Sequence, residues 1–351
     1  MMDTRHKIIV VGGYGAVGQY ICEMLHRHPH VEIVVAGRDL AKATSCANRL
    51  SGARARLFDI HTADYSAIQD AALLILCVES KNNKLAAYCL SAGIHYLDIT
   101  ASSALIDAIE RLNKPDFLAK SLALVSVGLA PGLSNLLAKH SVNRHLQSDW
   151  VAIDIMLGLG EKHGRAAFNW TFDHMHSRYI IQQDQQAVQV RSFTAPRAVI
   201  LDQKRRFFLF NFSDQHMLAK LWPAKNIKTR LAFDAVLVTE LLYLARQVGL
   251  TRILRIKRVQ AFLYFLFHRF TIGSDRFIVR ASCGIDKREL YRATFAGNSE
   301  GKATAAVAAE LALQMLHSKQ TGVLHINEFI SDVPGFIQNV ADYDPSFSCT
   351  L

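Results

Sequence analysis

The residues in this chain whose types and spacing could do chemistry begin at Gly13, Gly15 and Gly18, within the run K-I-I-V-V-G-G-Y-G-A-V-G from Lys7 to Gly18. What they offer a ligand is backbone. In a G-x-G-x-x-G turn the first glycine permits a tight bend, the second lets main chain approach a pyrophosphate, and the third lets a helix pack on the preceding strand. Ala16 and Val17 complete the turn, and the N–H groups opening the next helix, at its positive dipole end, would hold phosphates without a cationic side chain. A second position bears on which dinucleotide suits the turn. Where an NAD site carries a carboxylate for the ribose 2′-hydroxyl, the chain reads Gly37-Arg38-Asp39. A guanidinium fork suits a 2′-phosphate and Gly37 leaves room for it, so NADP is expected over NAD. The alternative is that Arg38 is a solvated charge; Asp39 is the expected cap of the helix beginning at Leu40.

Further along, H-Y-L-D-I-T at His95 to Thr100 puts Tyr96, Asp98 and Thr100 on one face of a strand. Asp98 is the candidate polar or proton-handling group, with a satisfied hydrogen-bond network as the alternative. Ser134 and Asn135, which follow the sharp Pro131-Gly132 turn at a helix start, are the candidate orienting donors. Cys77 stands in an apolar strand with no adjacent base, and burial raises a thiol pKa, so it is a poor nucleophile.

These residues need a scaffold that brings them to one edge, and the pattern supplies it. Ile8 to Val11, Glu32 to Ala36, Arg54 to Ile60, Leu73 to Val78, His95 to Thr100 and Leu122 to Val127 read as strands. Helices are expected between them, at about Ala16 to Arg27, from Leu40, at Asp64 to Ala71, Asn83 to Ala92 and Ser103 to Ala119. Alternation of this kind is an α/β, doubly wound parallel (Rossmann) sheet, whose ligands lie beyond the carboxyl ends of the strands. On that edge Asp59 would approach the adenine, or instead cap the helix from Asp64, while Cys77, Val78 and Glu79 would border the cofactor.

Composition narrows the class. With 50% hydrophobic and 20% charged residues the chain is globular. It holds no apolar run long enough to span a bilayer. The polar stretch from Met1 to Lys7 runs straight into the first strand, so no signal peptide is expected. Six cysteines without C-x-x-C spacing read as small buried hydrophobes in a reducing cytoplasm. The formal charge of +10 asks for an anionic partner. Basic residues are spread out and form no nucleic-acid module, which leaves a phosphorylated cofactor, an anionic small substrate or a membrane surface. Residues 252–267 carry Arg252, Arg255, Lys257 and Arg258 ahead of Phe262 to Phe267. This is either a bilayer-interface pairing or a buried or interdomain helix with a basic shoulder.

In the second half, Trp150 to Leu157, Val188 to Phe193, Phe207 to Phe212 and Arg276 to Gly284 alternate as strands. Glu161, Lys162, His163 and Arg165 form a charged loop that either meets an anionic substrate or is solvated. His174 and His176 lack further ligands at metal spacing, so no metal is expected.

Taken together, G-G-Y-G-A-V-G, G-R-D at Gly37 to Asp39, Cys77-Val78, H-Y-L-D-I-T and A-P-G-L-S-N at Ala130 to Asn135 resemble the saccharopine dehydrogenase-like family of reductases over the first 140 or so residues. The resemblance implies an NADP-binding Rossmann domain (1–135), an inserted α+β substrate and dimerisation domain (136–300), and a C-terminal segment (301–351) with a helix returning to the first domain. It also implies hydride transfer between nicotinamide and a C=N or C=O centre, with a homodimer expected. Ala130 before P-G and Ala101-Ser102 after the fifth strand replace carboxylates usual in saccharopine-forming enzymes, which argues against saccharopine itself. The chain is less similar to short-chain dehydrogenases, because none of its tyrosines has a lysine four residues later. The rival functional reading is a nucleotide-sensing or membrane-surface protein that keeps the fold without the chemistry.

Overall fold

The computed structural model describes residues 5–62, 64–114, 116–161, 165–269 and 273–351; Lys162 and His163 of the charged loop lie outside them. In chain order come β1 (His6–Val11), α1 (Gly18–His26), β2 (Val31–Gly37), α2 (Leu40–Ala47), β3 (Arg54–Leu57), β4 (Leu73–Leu76), α3 (Lys84–Ala92), β5 (His95–Asp98), α4 (Ser103–Glu110) and β6 (Leu122–Val125). After them come α5 (Ser134–Arg144), β7 (Trp150–Leu157), α6 (Arg165–His174), β8 (Arg178–Gln183), β9 (Gln186–Arg191), β10 (Arg197–Ile200), β11 (Lys204–Leu209), α7 (Ser213–Leu221) and β12 (Asn226–Phe233). The remainder is α8 (Val236–Gln247), α9 (Lys257–Arg269), β13 (Arg276–Ile285), β14 (Arg288–Asn298), α10 (Glu300–Met315), β15 (Gly322–His325), α11 (Ile326–Phe329), α12 (Val333–Ala341) and β16 (Ser348–Thr350). The chain divides into two compact units, Met1–Leu133 with Gly301–Asp332, and Ser134–Glu300 with Val333–Leu351.

The first unit is a seven-stranded sheet in the order β3-β2-β1-β4-β5-β6-β15, and every neighbouring pair is parallel. This is the doubly wound arrangement expected. Its strands are apolar because both faces are covered: Ile8, Ile9, Val10 and all of β4 have no exposed surface. Each such aliphatic side chain contributes roughly 1.5–3 kcal/mol by its removal from water. Strand order reverses between β1 and β4, the switch point at which open α/β sheets bind ligands. Register brings the carboxyl ends level there, with Val11 opposite both Ala36 and Leu76, and Leu76 opposite Asp98.

The second unit is a mixed seven-stranded sheet, β10-β11-β12-β7-β13-β14-β16, with a separate β8-β9 hairpin. Only β12 and β7 run parallel in it.

Several expected elements come out differently. The helix at Asp64 to Ala71 is a single 3-10 turn, Ser66–Ile68, and Asp64, not Asp59, accepts its opening N–H, from Ser66 at 2.8 Å. The fifth strand stops at Asp98 rather than Thr100, because the Asp98 carboxylate captures the Thr100 N–H at 2.8 Å and turns the chain out of the sheet. The helix expected to reach Ala119 ends at Glu110. Asn113 is used elsewhere: its amide donates to the Val323 carbonyl at 2.7 Å and accepts the Val323 N–H at 2.8 Å.

The C-terminal segment does not return as one piece. Helix α10 and strand β15 belong to the first unit, whereas residues 333–351 belong to the second. There β16 pairs with β14, Thr350 opposite Thr294, so a backbone ladder decides the matter. Helix α10 can lie deep because it is rich in small residues: Ala303, Ala305, Ala306, Ala308, Ala309 and Ala312 are all fully buried.

The Asn113 clamp makes the returning strand testable. Asn113→Ala leaves the Val323 N–H and C=O without their side-chain partner and should destabilise the chain by about 1–3 kcal/mol. The expected readout is a melting temperature lower by a few degrees and faster amide exchange at Val323; unchanged exchange would remove the clamp from the account.

Candidate functional site

The glycine turn is built by close approach. A Cβ on Gly18 would lie 2.3 Å from the Gly12 carbonyl oxygen and 2.8 Å from Gly13 Cα, so no other residue lets α1 start so near β1. Gly12 itself has φ +80°, and a Cβ there would meet Val78 Cγ1 at 2.6 Å, which seats the turn against the end of β4. Backbone bonds lock it on both sides: Gly12 N–H donates to the Ala36 carbonyl at 2.7 Å and Cys77 N–H to Val11 at 2.9 Å. Helix α1 opens at Gly18 after Val17, and no side chain caps it. The Gln19 N–H bonds back to the Gly15 carbonyl at 3.1 Å, and the positive end of the helix dipole at this turn suits a dinucleotide pyrophosphate. Gly13, Gly15, Ala16, Val17 and Gly18 lie in this turn.

At the end of β2, Asp39 caps α2 by accepting the Lys42 N–H at 3.0 Å, and the same carboxylate pairs with the Lys42 ammonium at 3.0 Å. Those bonds hold its pKa below the ordinary aspartate value. Arg38 beside it is exposed and makes no ion pair among the described residues. One expectation fails: the space beside Gly37 is not open. A Cβ there would lie 2.6 Å from Tyr14 Cε1, and the Tyr14 hydroxyl accepts the Asp39 N–H at 3.3 Å. Tyr14 was missed because nothing in local spacing links it to a residue on the next strand.

Asp59 lies just beyond β3, where the Phe58 N–H still bonds to the Gly37 carbonyl at 3.0 Å. It shapes its own turn, accepting the His61 N–H at 3.0 Å. Cys77 follows β4, its thiol pushed up by burial and by the nearby Asp98, and Val78 and Glu79 are exposed beyond it.

Asp98 ends β5 and is 1% exposed. The Tyr96 hydroxyl donates to one carboxylate oxygen at 2.6 Å and the Thr100 N–H to the other at 2.8 Å. Burial raises its pKa to about 6 while those two bonds oppose the rise. The Tyr96 hydroxyl and the Thr100 backbone N–H thus take up both oxygens of the Asp98 carboxyl. Next along the edge Ser126, at φ +60°, places its hydroxyl 2.9 Å from His325 Nδ1, with Val125 opposite His325 in the ladder. This pair escaped sequence analysis because β15 is only four residues long.

Ser134 and Asn135 open α5, belong to the second unit and are fully buried. Ser134 Oγ donates to Asn135 Oδ1 at 3.3 Å and helps hold down the pKa of buried Asp214, which burial pushes up to about 6. As enclosed side chains they present no donor to solvent. In the charged loop, Glu161 accepts from Ser299 Oγ at 3.0 Å and from the Glu300 N–H at 2.6 Å, anchoring the start of α10. His174 and His176 are engaged through Nδ1 by the Trp170 carbonyl and the Thr251 hydroxyl.

A parallel doubly wound sheet with this turn at its switch point is an NAD(P)-binding, dehydrogenase-like fold. Residues 8–120 match the family model of the saccharopine dehydrogenase NADP binding domain. Among solved structures it is similar to apo histidine-tagged saccharopine dehydrogenase (L-Glu forming) from Saccharomyces cerevisiae, at 13% identity and TM-score 0.64, covering 99% of this chain and 100% of that one. It is also similar to GenD2 from gentamicin A biosynthesis in complex with NAD, at 12% identity and TM-score 0.46, covering 100% and 98%. A third is a myo-inositol dehydrogenase from Corynebacterium glutamicum, at 11% identity and TM-score 0.45, covering 99% of each chain. At these identities the likeness to the yeast enzyme is one of fold. No curated protein matches by sequence.

The Asp98 network carries a pH signature. An exposed aspartate titrates near ~3.9, so a native value of about 6 means that the folded state holds the proton more tightly. The stability it contributes is full below about pH 4 and is lost as pH rises to about 6, about 3 kcal/mol in all. Melting curves of the wild type and Asp98→Asn should therefore diverge across that window, the wild type losing stability relative to the variant as pH rises. Parallel curves would mean an ordinary carboxyl.

Proposed function

We propose that the chain is an NADP-dependent oxidoreductase moving hydride between nicotinamide and a C=N or C=O centre of a small, anionic substrate. The observation that carries the choice of cofactor is the end of β2. Its one carboxylate, Asp39, is committed to capping and to Lys42, while the neighbouring guanidinium of Arg38 has no acidic partner among the described residues. A carboxylate so occupied is a poor partner for a ribose 2′-hydroxyl, and an unpaired guanidinium a good one for a 2′-phosphate.

A bound nicotinamide supplies the hydride chemistry. The chain's own part is to hold and orient. Gly13 to Gly18 and the start of α1 would take the pyrophosphate. Arg38 would take the 2′-phosphate, with the Tyr14 ring against Gly37 as the wall beside it, and Asp59, Cys77, Val78 and Glu79 would border the cofactor along the carboxyl edge. Asp98, hydrogen-bonded to Tyr96, is the proton-handling group of this reading, because a carboxyl near 6 can both give and take a proton close to neutral pH.

Thermal shift with NADPH and with NADH tests the cofactor. NADPH should stabilise the wild type more than NADH does, and Arg38→Ala should erase most of that difference. Stabilisation by NADH alone, or by neither, sinks the proposal. For Asp98, NADPH consumption would be followed over a panel of aldehydes, ketones and imines. Asp98→Asn should lower the best rate by about a hundredfold or more while leaving the NADPH thermal shift unchanged; an equal loss of both would make Asp98 a folding residue only.

A further inference from the structure

Helices α8 and α9, with the 3-10 turn Leu250–Arg255 between them, are apolar on the wrong side. On α8 and its end, Leu237, Leu241, Leu244 and Val248 recur at helical spacing and all face solvent, whereas Thr239 and Arg246 are the buried positions. The turn adds Leu250, Ile253 and Ile256, and α9 adds Phe262 and Phe265. These nine side chains are between 44% (Ile253) and 79% (Val248) exposed. Among the described residues, seventeen large apolar side chains are exposed, so more than half of them fall within residues 237–265. The turn packs against both helices, which makes the nine one patch and not scattered instances.

The charge around the patch has one sign. Arg252, Arg255, Lys257 and Arg258 are all exposed within it. From Val236 to Arg269 the sequence holds one acidic residue, Glu240, and Arg206 occupies it. Lys257 reaches Asp173 at 2.8 Å and Arg252 leans on His176, while Arg255 and Arg258 have no acidic partner among the described residues. On α9, Arg258, Phe262, Phe265 and Arg269 fall on a single exposed stripe.

We propose that this face docks the protein on the surface of an anionic lipid bilayer. Leucine and phenylalanine side chains would enter the headgroup boundary and the arginines would meet lipid phosphates, their stems lying along the apolar surface. A second copy of the chain covers the patch less well, because a face-to-face pairing of identical surfaces sets these arginines against one another without carboxylates between them. No helix among the described residues is long and apolar enough to cross a membrane, so the mode is peripheral. The inference is independent of the nicotinamide reading.

The test is flotation of the full chain with phosphatidylcholine vesicles, with and without phosphatidylserine. The chain should float with the anionic vesicles, stay behind with the neutral ones, and be released by high salt. Arg252→Ala with Arg255→Ala and Arg258→Ala should lower the partition coefficient on the order of a hundredfold, roughly fivefold for each arginine near the surface. Phe262→Ser with Phe265→Ser should lower it at least tenfold with only a small loss of melting temperature, since the two residues are 60% and 61% exposed. Failure to float, equal recovery with neutral vesicles, or indifference to both sets of changes overturns the proposal. So does a stable dimer that the phenylalanine changes convert to monomer.

Discussion

Everything in the first unit depends on how near helix α1 comes to strand β1. The Gly18 position leaves 2.3 Å between a would-be Cβ and the Gly12 carbonyl oxygen, and that approach aims the opening of α1 across the end of the sheet. Register does the rest. Because Val11, Ala36, Leu76 and Asp98 are level across four parallel strands, the glycine turn, Arg38, Cys77 and Asp98 share one edge without any of them touching another by design of its own side chain. A larger residue at Gly18 would tilt the helix and separate the phosphate donors from the edge where the rest of the site lies.

What could be read in advance follows from how local each signal is. Strands β1, β4 and β6 announce themselves as uninterrupted apolar runs because both faces of a parallel sheet are covered, and the capping role of Asp39 needs only its neighbours three residues on. Strand β14 was not legible: Arg288, Glu289 and Arg292 interrupt it, and it is half exposed, so its pairing with β13 rests on a hairpin turn at Asp286 with φ +53°. Strand β12, the single parallel partner of β7, alternates Lys228 and Arg230 with buried residues and offered no run to see.

The site was legible in its backbone and less so in its side chains. The glycine motif states a mechanical requirement in sequence spacing. Tyr14 against Gly37, Asn113 against Val323 and Ser126 against His325 are pairings across 23, 210 and 199 positions in the chain, and only the assembled sheet creates them. Asp98 lies between these cases. Its alternation with Tyr96 and Thr100 was visible, but that both carboxylate oxygens would be taken up was a matter of where the strand ended.

Charge links the two proposals. The surplus of +10 is partly absorbed in structure. Arg197 bonds to Asp154 at 3.0 Å and Glu289 at 3.2 Å while lying over the Trp150 ring; Arg280 holds Glu289 at 2.6 Å; Lys7 and Arg56 share Asp70, whose carboxyl they keep well below its ordinary range. In this way acids in the interior and on sheet faces consume the cations near them. Among those left without an acid are Arg38, beside a glycine turn that itself holds no anion-binding side chain, and Arg255 and Arg258, beside exposed leucine and phenylalanine. The two settings differ in what surrounds the cation. Backbone donors suit a single phosphate held in one orientation, and an apolar apron suits a surface of phosphates with hydrocarbon behind them.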